Sequence, residues 1–149
     1  MTEVLFYHLE KRGLDEVLPV LLAKTLERGW RAVVQVGTPE RVDALNRHLW
    51  AYDDHSFLPH GCSEDGYQAL QPIWLTSGDD NPNGSQVRFF VDGARVEGID
   101  EYQRAVLMFD GRDEYALAQA REDWKLTKSA GHDVTYWQQS SEGRWERKA

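Results

Sequence analysis

A chain of 149 residues with 41% apolar and 28% charged residues is long enough to bury a core and is ordinary for a globular protein. Its formal charge of −8 argues against a general grip on nucleic acid, which needs a basic surface. Cys62 is alone, so no internal disulfide can form, and no apolar run approaches the length of a membrane span. The start, MTEVLFYHLEKRG, lacks the pattern of a signal peptide, and the expected location is the cytoplasm.

In chain order, VLFYHL (4–9) reads as a buried first strand. LDEVLPVLLAKTLERG carries a helical stripe of Leu14, Val17, Leu18, Leu21, Leu22 and Ala23, with Pro19 expected near the first turn and Gly29 as a stop. RAVVQV (31–36) is a valine-rich second strand. Thr38 as N-cap and Pro39 at the first helical position open a second helix with Val42, Leu45 and Leu49 facing inward. Residues 51–72 read as a long loop, followed by IWLT (73–76) as a third strand and a dense turn signal over 77–85. QVRFFVDG and RAVLMFDG supply a fourth and fifth strand. A last helix is expected from about Arg112 to Ser129, closed by Gly131, and DVTYWQQ as a short extended segment packed on the body. Strand and helix alternate as in a parallel sheet, which predicts a three-layer α/β domain over residues 1–149 with about five mainly parallel strands.

Common catalytic patterns are missing. The loop after the first strand, HLEKRGLDE, has one glycine, so neither a dinucleotide fingerprint nor a P-loop is present. His55 and His60 in HSFLPH have no metal-ligand spacing, no Gly-x-Ser-x-Gly elbow occurs, and no cofactor or metal is expected. Two stretches instead read as contact surfaces. LWAYDDHSFLPHG (49–61) places Trp50, Tyr52, Phe57 and Leu58 among loop residues, either capping the sheet or exposed for docking.

The other is the last helix, where Arg121, Lys125 and Lys128 fall at i, i+4 and i+7 with Trp124 beside them. Residues 119–149 carry a balance of +1 while residues 1–118 carry −9. Such a row is either a solvated face, weakly compensated by Glu122 and Glu114, or a site for an acidic peptide with a hydrophobic anchor.

FYHL, RGWRAVVQV, LW followed by SFLPHG, and AREDWK leading into AGHDVTYW occur in an order and spacing that resemble the chi subunit of the bacterial DNA polymerase III holoenzyme. The resemblance implies a Rossmann-like α/β/α fold without enzymatic activity. It also implies a clamp-loader accessory that bridges to single-stranded DNA-binding protein, whose C-terminal tail is acidic and ends in a hydrophobic residue. Arg121 then pairs with the tail's carboxylates, Trp124 lies beside it and Lys125 adds charge; Lys128 follows from helical geometry. Leu117 stands at a position where the family can carry lysine. Trp50, Phe57, Pro59 and His60 are implied to face the psi subunit or a DinG-type helicase. Beyond about residue 140, Arg144, Arg147 and Lys148 either reinforce the basic site or belong to a flexible tail. The competing reading is a small α/β enzyme acting on an acidic substrate near Arg121.

Overall fold

The structure, a computed structural model, describes residues 2–51, 59–63 and 65–149. Strand β1 (Glu3–Leu9) sends Val4 and Phe6 to one face of the sheet and Tyr7 and Leu9 to the other, as period-two alternation requires. Helix α1 (Leu14–Glu27) buries Val17, Leu18 and Leu22. Pro19 lies in its second turn rather than its first, so it removes the bond that would reach the Asp15 carbonyl. His48 Nε2 takes up that carbonyl at 2.7 Å, so the gap in one helix becomes a tie to the next. That next helix, α2 (Pro39–Ala51), follows β2 (Ala32–Gln35) and is capped by the Thr38 hydroxyl, which accepts from Arg41 N at 3.3 Å.

Beyond α2 the chain forms β3 (His60–Gly61), β4 (Ile73–Thr76), β5 (Val87–Phe90), β6 (Arg104–Asp110), α3 (Glu114–Ser129), β7 (Asp133–Gln139) and β8 (Trp145–Arg147). Helix α3 begins two residues later than the sequence implies, because the Asp113 side chain accepts from Tyr115 N and Ala116 N and so stands outside as the cap. It closes as expected at Gly131, whose φ of +87° suits only glycine well.

The sheet order is β3-β4-β2-β5-β6-β1-β7-β8, parallel throughout except for the β7–β8 pair. Among the described residues the sheet has eight strands, where about five were expected. The additions are β7, the extended DVTYWQQ segment now paired into the sheet, and the short β3 and β8. Helices α1 and α2 cover one face over Val34, Leu75, Phe89 and Val106; α3 covers the other over Phe6, Leu107 and Val134. This is the three-layer arrangement.

Arg88 on β5 holds the part of that second face that α3 does not reach. It donates to the carbonyls of Gly78 (2.7 Å) and Asp80 (2.8 Å), to Gln35 Oε1 and to the Tyr102 hydroxyl. The turn signal at 77–85 is thereby folded down as a lid. Because α1 leaves β1 toward one face and α3 leaves β6 toward the other, a crevice opens between these neighbouring strands, where doubly wound folds commonly bind ligands.

Candidate functional site

The buried stripe of α3 is Ala120, Asp123 and Thr127, and it divides the helix into two flanks. At about 100° per residue, Leu117, Trp124, Lys128 and Arg121 lie on the β7 side of that stripe, and Lys125 lies nearly opposite it. Trp124 is half-buried and meets Phe6 edge-on at 5.4 Å and Tyr136 at 5.7 Å, while Lys128 Nζ stands 5.3 Å over its ring. Arg121 is exposed and close enough for its charge to bear on Tyr136. Burial raises the pKa of that hydroxyl, Arg121 works against the rise and Glu10 adds to it. Lys125 points outward and reaches Glu122 at 3.6 Å, so its charge is partly compensated.

Under this flank, the sheet supplies polar groups that bind one another. His8 Nδ1 and the Tyr136 hydroxyl share a hydrogen bond of 2.7 Å, and His8 Nε2 lies 3.1 Å from Glu10, which also accepts from Gln138 at 3.0 Å. His8 is buried, and Gly111 leaves no space for a Cβ against its ring. Tyr136 completes the floor of the basic row. Sequence reasoning did not single it out, although its place between Val134 and Gln138 in an alternating strand was the available signal.

The other flank faces the crevice, a cleft of about 700 Å³ lined by Phe90, Leu107, Val96 and Ala116 on its apolar side. Its rim carries Asp92, Asp110 and Asp113, and the buried Asp123 lines its interior. Arg41 donates to Asp92 at 2.8 and 3.1 Å, and Arg112 to Asp110 at 3.2 Å. Burial raises the Asp123 pKa against the hydrogen bond from Gln119, and Glu122 adds to the rise. Arg12 also lines the cleft, so three arginines stand against four aspartates and its charge is nearly balanced, unlike the cationic flank above Tyr136.

At the mouth of the crevice the loop after β1 presents three successive backbone N–H groups, the kind of arrangement that receives a phosphate in nucleotide-binding doubly wound folds. Here Gln139 Oε1 accepts from Glu10 N, Lys11 N and Arg12 N at 2.9, 2.9 and 3.0 Å. Gln139 is 2% exposed, so a side chain of β7 occupies the place a phosphate oxygen would take. Among the described residues, no group of three His, Cys, Asp or Glu is placed to hold a metal ion. No helix among them is long and apolar enough to cross a membrane.

The second expected surface lies at the opposite edge of the sheet. Trp50, at the end of α2, is 53% exposed, and its ring stacks at a tilt on His60 with centroids 4.4 Å apart. His60 is buried in β3 and Nε2 lies 3.3 Å from the Asn46 carbonyl, while Pro59 is half-buried next to it. Phe57 lies outside the described residues. From β3 to β7 there are six strand spacings, roughly 29 Å, so the two surfaces are well separated.

Two comparisons bear on this geometry. Residues 1–135 match the family described as DNA polymerase III chi subunit, HolC. A probable DNA polymerase III subunit chi from Rickettsia prowazekii (strain Madrid E) is 28% identical over 105 residues, covering 68% of this chain and 64% of that protein. That match spans a little under two thirds of the relative's length, and the family match ends before β8. With the family match running from β1 into β7, the chain belongs to the DNA polymerase III chi subunit family.

Proposed function

We propose that residues 1–149 act as one non-catalytic chi-like adaptor that ties the clamp-loader assembly of DNA polymerase III to the acidic C-terminal tail of single-stranded DNA-binding protein. The observation that carries this reading is the cationic rim on an aromatic floor: Arg121 and Lys128 beside Trp124 and Tyr136. Carboxylates of the tail pair with the guanidinium, whose planar fork suits them, and the hydrophobic end packs on the exposed parts of the rings. Lys125 contributes from the outer side of the helix at longer range. The distant surface of Trp50, Pro59 and His60, together with Phe57, receives the psi subunit or a DinG-type helicase. Separation of the surfaces supports simultaneous occupancy, which an adaptor requires. The protein works in the cytoplasm, without a cofactor and without direct contact to nucleic acid.

An enzyme acting on an acidic substrate near Arg121 is less well supported. Of the acid–base groups that face this flank, His8 and Tyr136 share a hydrogen bond, and His8 is enclosed with Glu10 beside it.

Calorimetric titration with the last residues of the cognate single-stranded DNA-binding protein tests the reading. Wild type should bind at low salt with a Kd on the order of micromolar, and Arg121→Ala should weaken binding about tenfold or more. Undiminished binding by Arg121→Ala, or none by wild type, would overturn it.

A further inference from the structure

The ten C-terminal residues hold three cations that the sequence could not sort, and strand pairing sorts them. Antiparallel β8 sets Trp145 opposite Gln139, Glu146 opposite Gln138 and Arg147 opposite Trp137. Residues directly opposite in such a pair point to the same face. On β7, Val134 and Tyr136 face α3, and so therefore does Gln138, whereas Trp137 and Gln139 face the α1 side. Glu146 accordingly stands on the α3 face and Arg147 on the opposite one. Past the end of β8, Lys148 N donates to the Tyr136 carbonyl at 2.8 Å while Tyr136 N donates to the Ala149 carbonyl at 3.3 Å, so the chain bulges there with Lys148 beside Tyr136. The 3.7 Å approach of Lys148 Nζ to Glu146 agrees with this, since residues two apart on a strand share a face. Arg144 lies in the turn and approaches Glu142 at 3.9 Å.

From this register we infer that the β7–β8 hairpin is the second bank of the tail groove, with Lys148 as its cationic contact and Glu146 as an internal competitor for that contact. The inference rests on the tail-binding reading above and deepens it. In this arrangement Trp124 and Tyr136 form the floor, Arg121 and Lys128 line the α3 bank, and Lys148 lines the other. A charge on the second bank also answers the uncharged Leu117 on the first, one helical turn before Arg121. Lys148 and Glu146 are both about half exposed, so their pairing is weak and an incoming carboxylate can replace Glu146. Two neighbouring cations thus acquire different roles: Lys148 touches the tail, and Arg147 contributes only a distant charge through the sheet.

The test compares variants that each alter the charge by one, by calorimetry with the same tail peptide at low and moderate salt. Lys148→Ala should weaken binding about threefold at low salt, with a smaller effect once screening shortens the range. Arg147→Ala should change it by less than about 1.5-fold, and Glu146→Gln should tighten it about twofold. All three positions are exposed, so the folded state should be unaffected, which circular dichroism checks. Equal losses for Lys148→Ala and Arg147→Ala would reduce the effect to net charge and overturn the inference. If Arg121→Ala abolishes binding while Lys148→Ala leaves it intact, the hairpin role falls and the tail site stands. If wild type does not bind the peptide, both fall together.

Discussion

The two flanks of α3 share one helix and one sheet, yet one is a cationic aromatic surface and the other a deep cleft of nearly balanced charge. On the β7 side a tryptophan and a tyrosine close the gap between helix and sheet, and Lys128 stands over the tryptophan. On the crevice side small residues, Ala116 and Ala120, leave a cleft whose rim is rich in aspartates. The difference arises from side-chain size at the boundary of the buried stripe. A large ring there fills the interlayer space and makes a shallow surface suited to an extended peptide. An alanine leaves depth, which charged loops then border. A helix with three cations is thus not uniformly a binding helix; the position of each relative to the floor decides which can act.

The largest effect that would sharpen this contrast concerns the two aromatic residues of the helix. Trp124→Ala should destabilise the protein by about 2–4 kcal/mol, because it removes two ring contacts and opens a cavity above Phe6. Tyr115, 90% exposed on the crevice side, should cost less than about 0.5 kcal/mol on the same change. Urea denaturation measures both, and comparable losses would mean that the flanks are packed alike.

Next in size is the response to charge. Arg121→Glu should lower affinity for the acidic tail by more than about 2 kcal/mol, whereas Arg112→Glu, at the cleft rim, should change it by less than about 0.5 kcal/mol. Similar losses at the two positions would show that the helix responds only to net charge.

The smallest effect comes from Asp123. Its folded pKa is raised by burial, so the folded state holds the proton more tightly than the unfolded chain, and stability falls as pH rises from the unfolded pKa through the folded one. Asp123→Asn should therefore raise stability at pH 7 by about 0.5–1 kcal/mol, a gain that fades as acid protonates the native aspartate. A thermal-melting series from pH 3 to 7 would contradict this if the variant gained nothing at neutral pH.

Much of the fold was legible because it rests on local patterns. The leucine stripe of α1, Thr38-Pro39 before α2 and Gly131 after α3 announce themselves within a few residues. What escaped depends on partners distant in the chain. Trp145-Glu-Arg is too short for any periodicity and is a strand only because β7 offers it a ladder. His60-Gly61 becomes a strand only alongside Ile73 and Trp74. Asp113 rather than Arg112 marks the start of α3 because its carboxylate takes two amides, which a propensity argument resolves only to within a residue or two. The basic row was readable from spacing. Its floor was not, since Phe6 and Tyr136 join Trp124 from strands over a hundred residues apart.

The capture of the β1–α1 loop by Gln139 has a consequence for how the molecule opens. A loop at the mouth of a doubly wound sheet is ordinarily among the first segments to fluctuate, and its amides exchange with solvent through small local motions. Here three of those amides are released only when the end of β7 moves away. The loop and the hairpin should consequently form one cooperative unfolding unit. Glu10, Lys11 and Arg12 would show the slow hydrogen exchange of sheet residues, and their protection would rise and fall with that of β7.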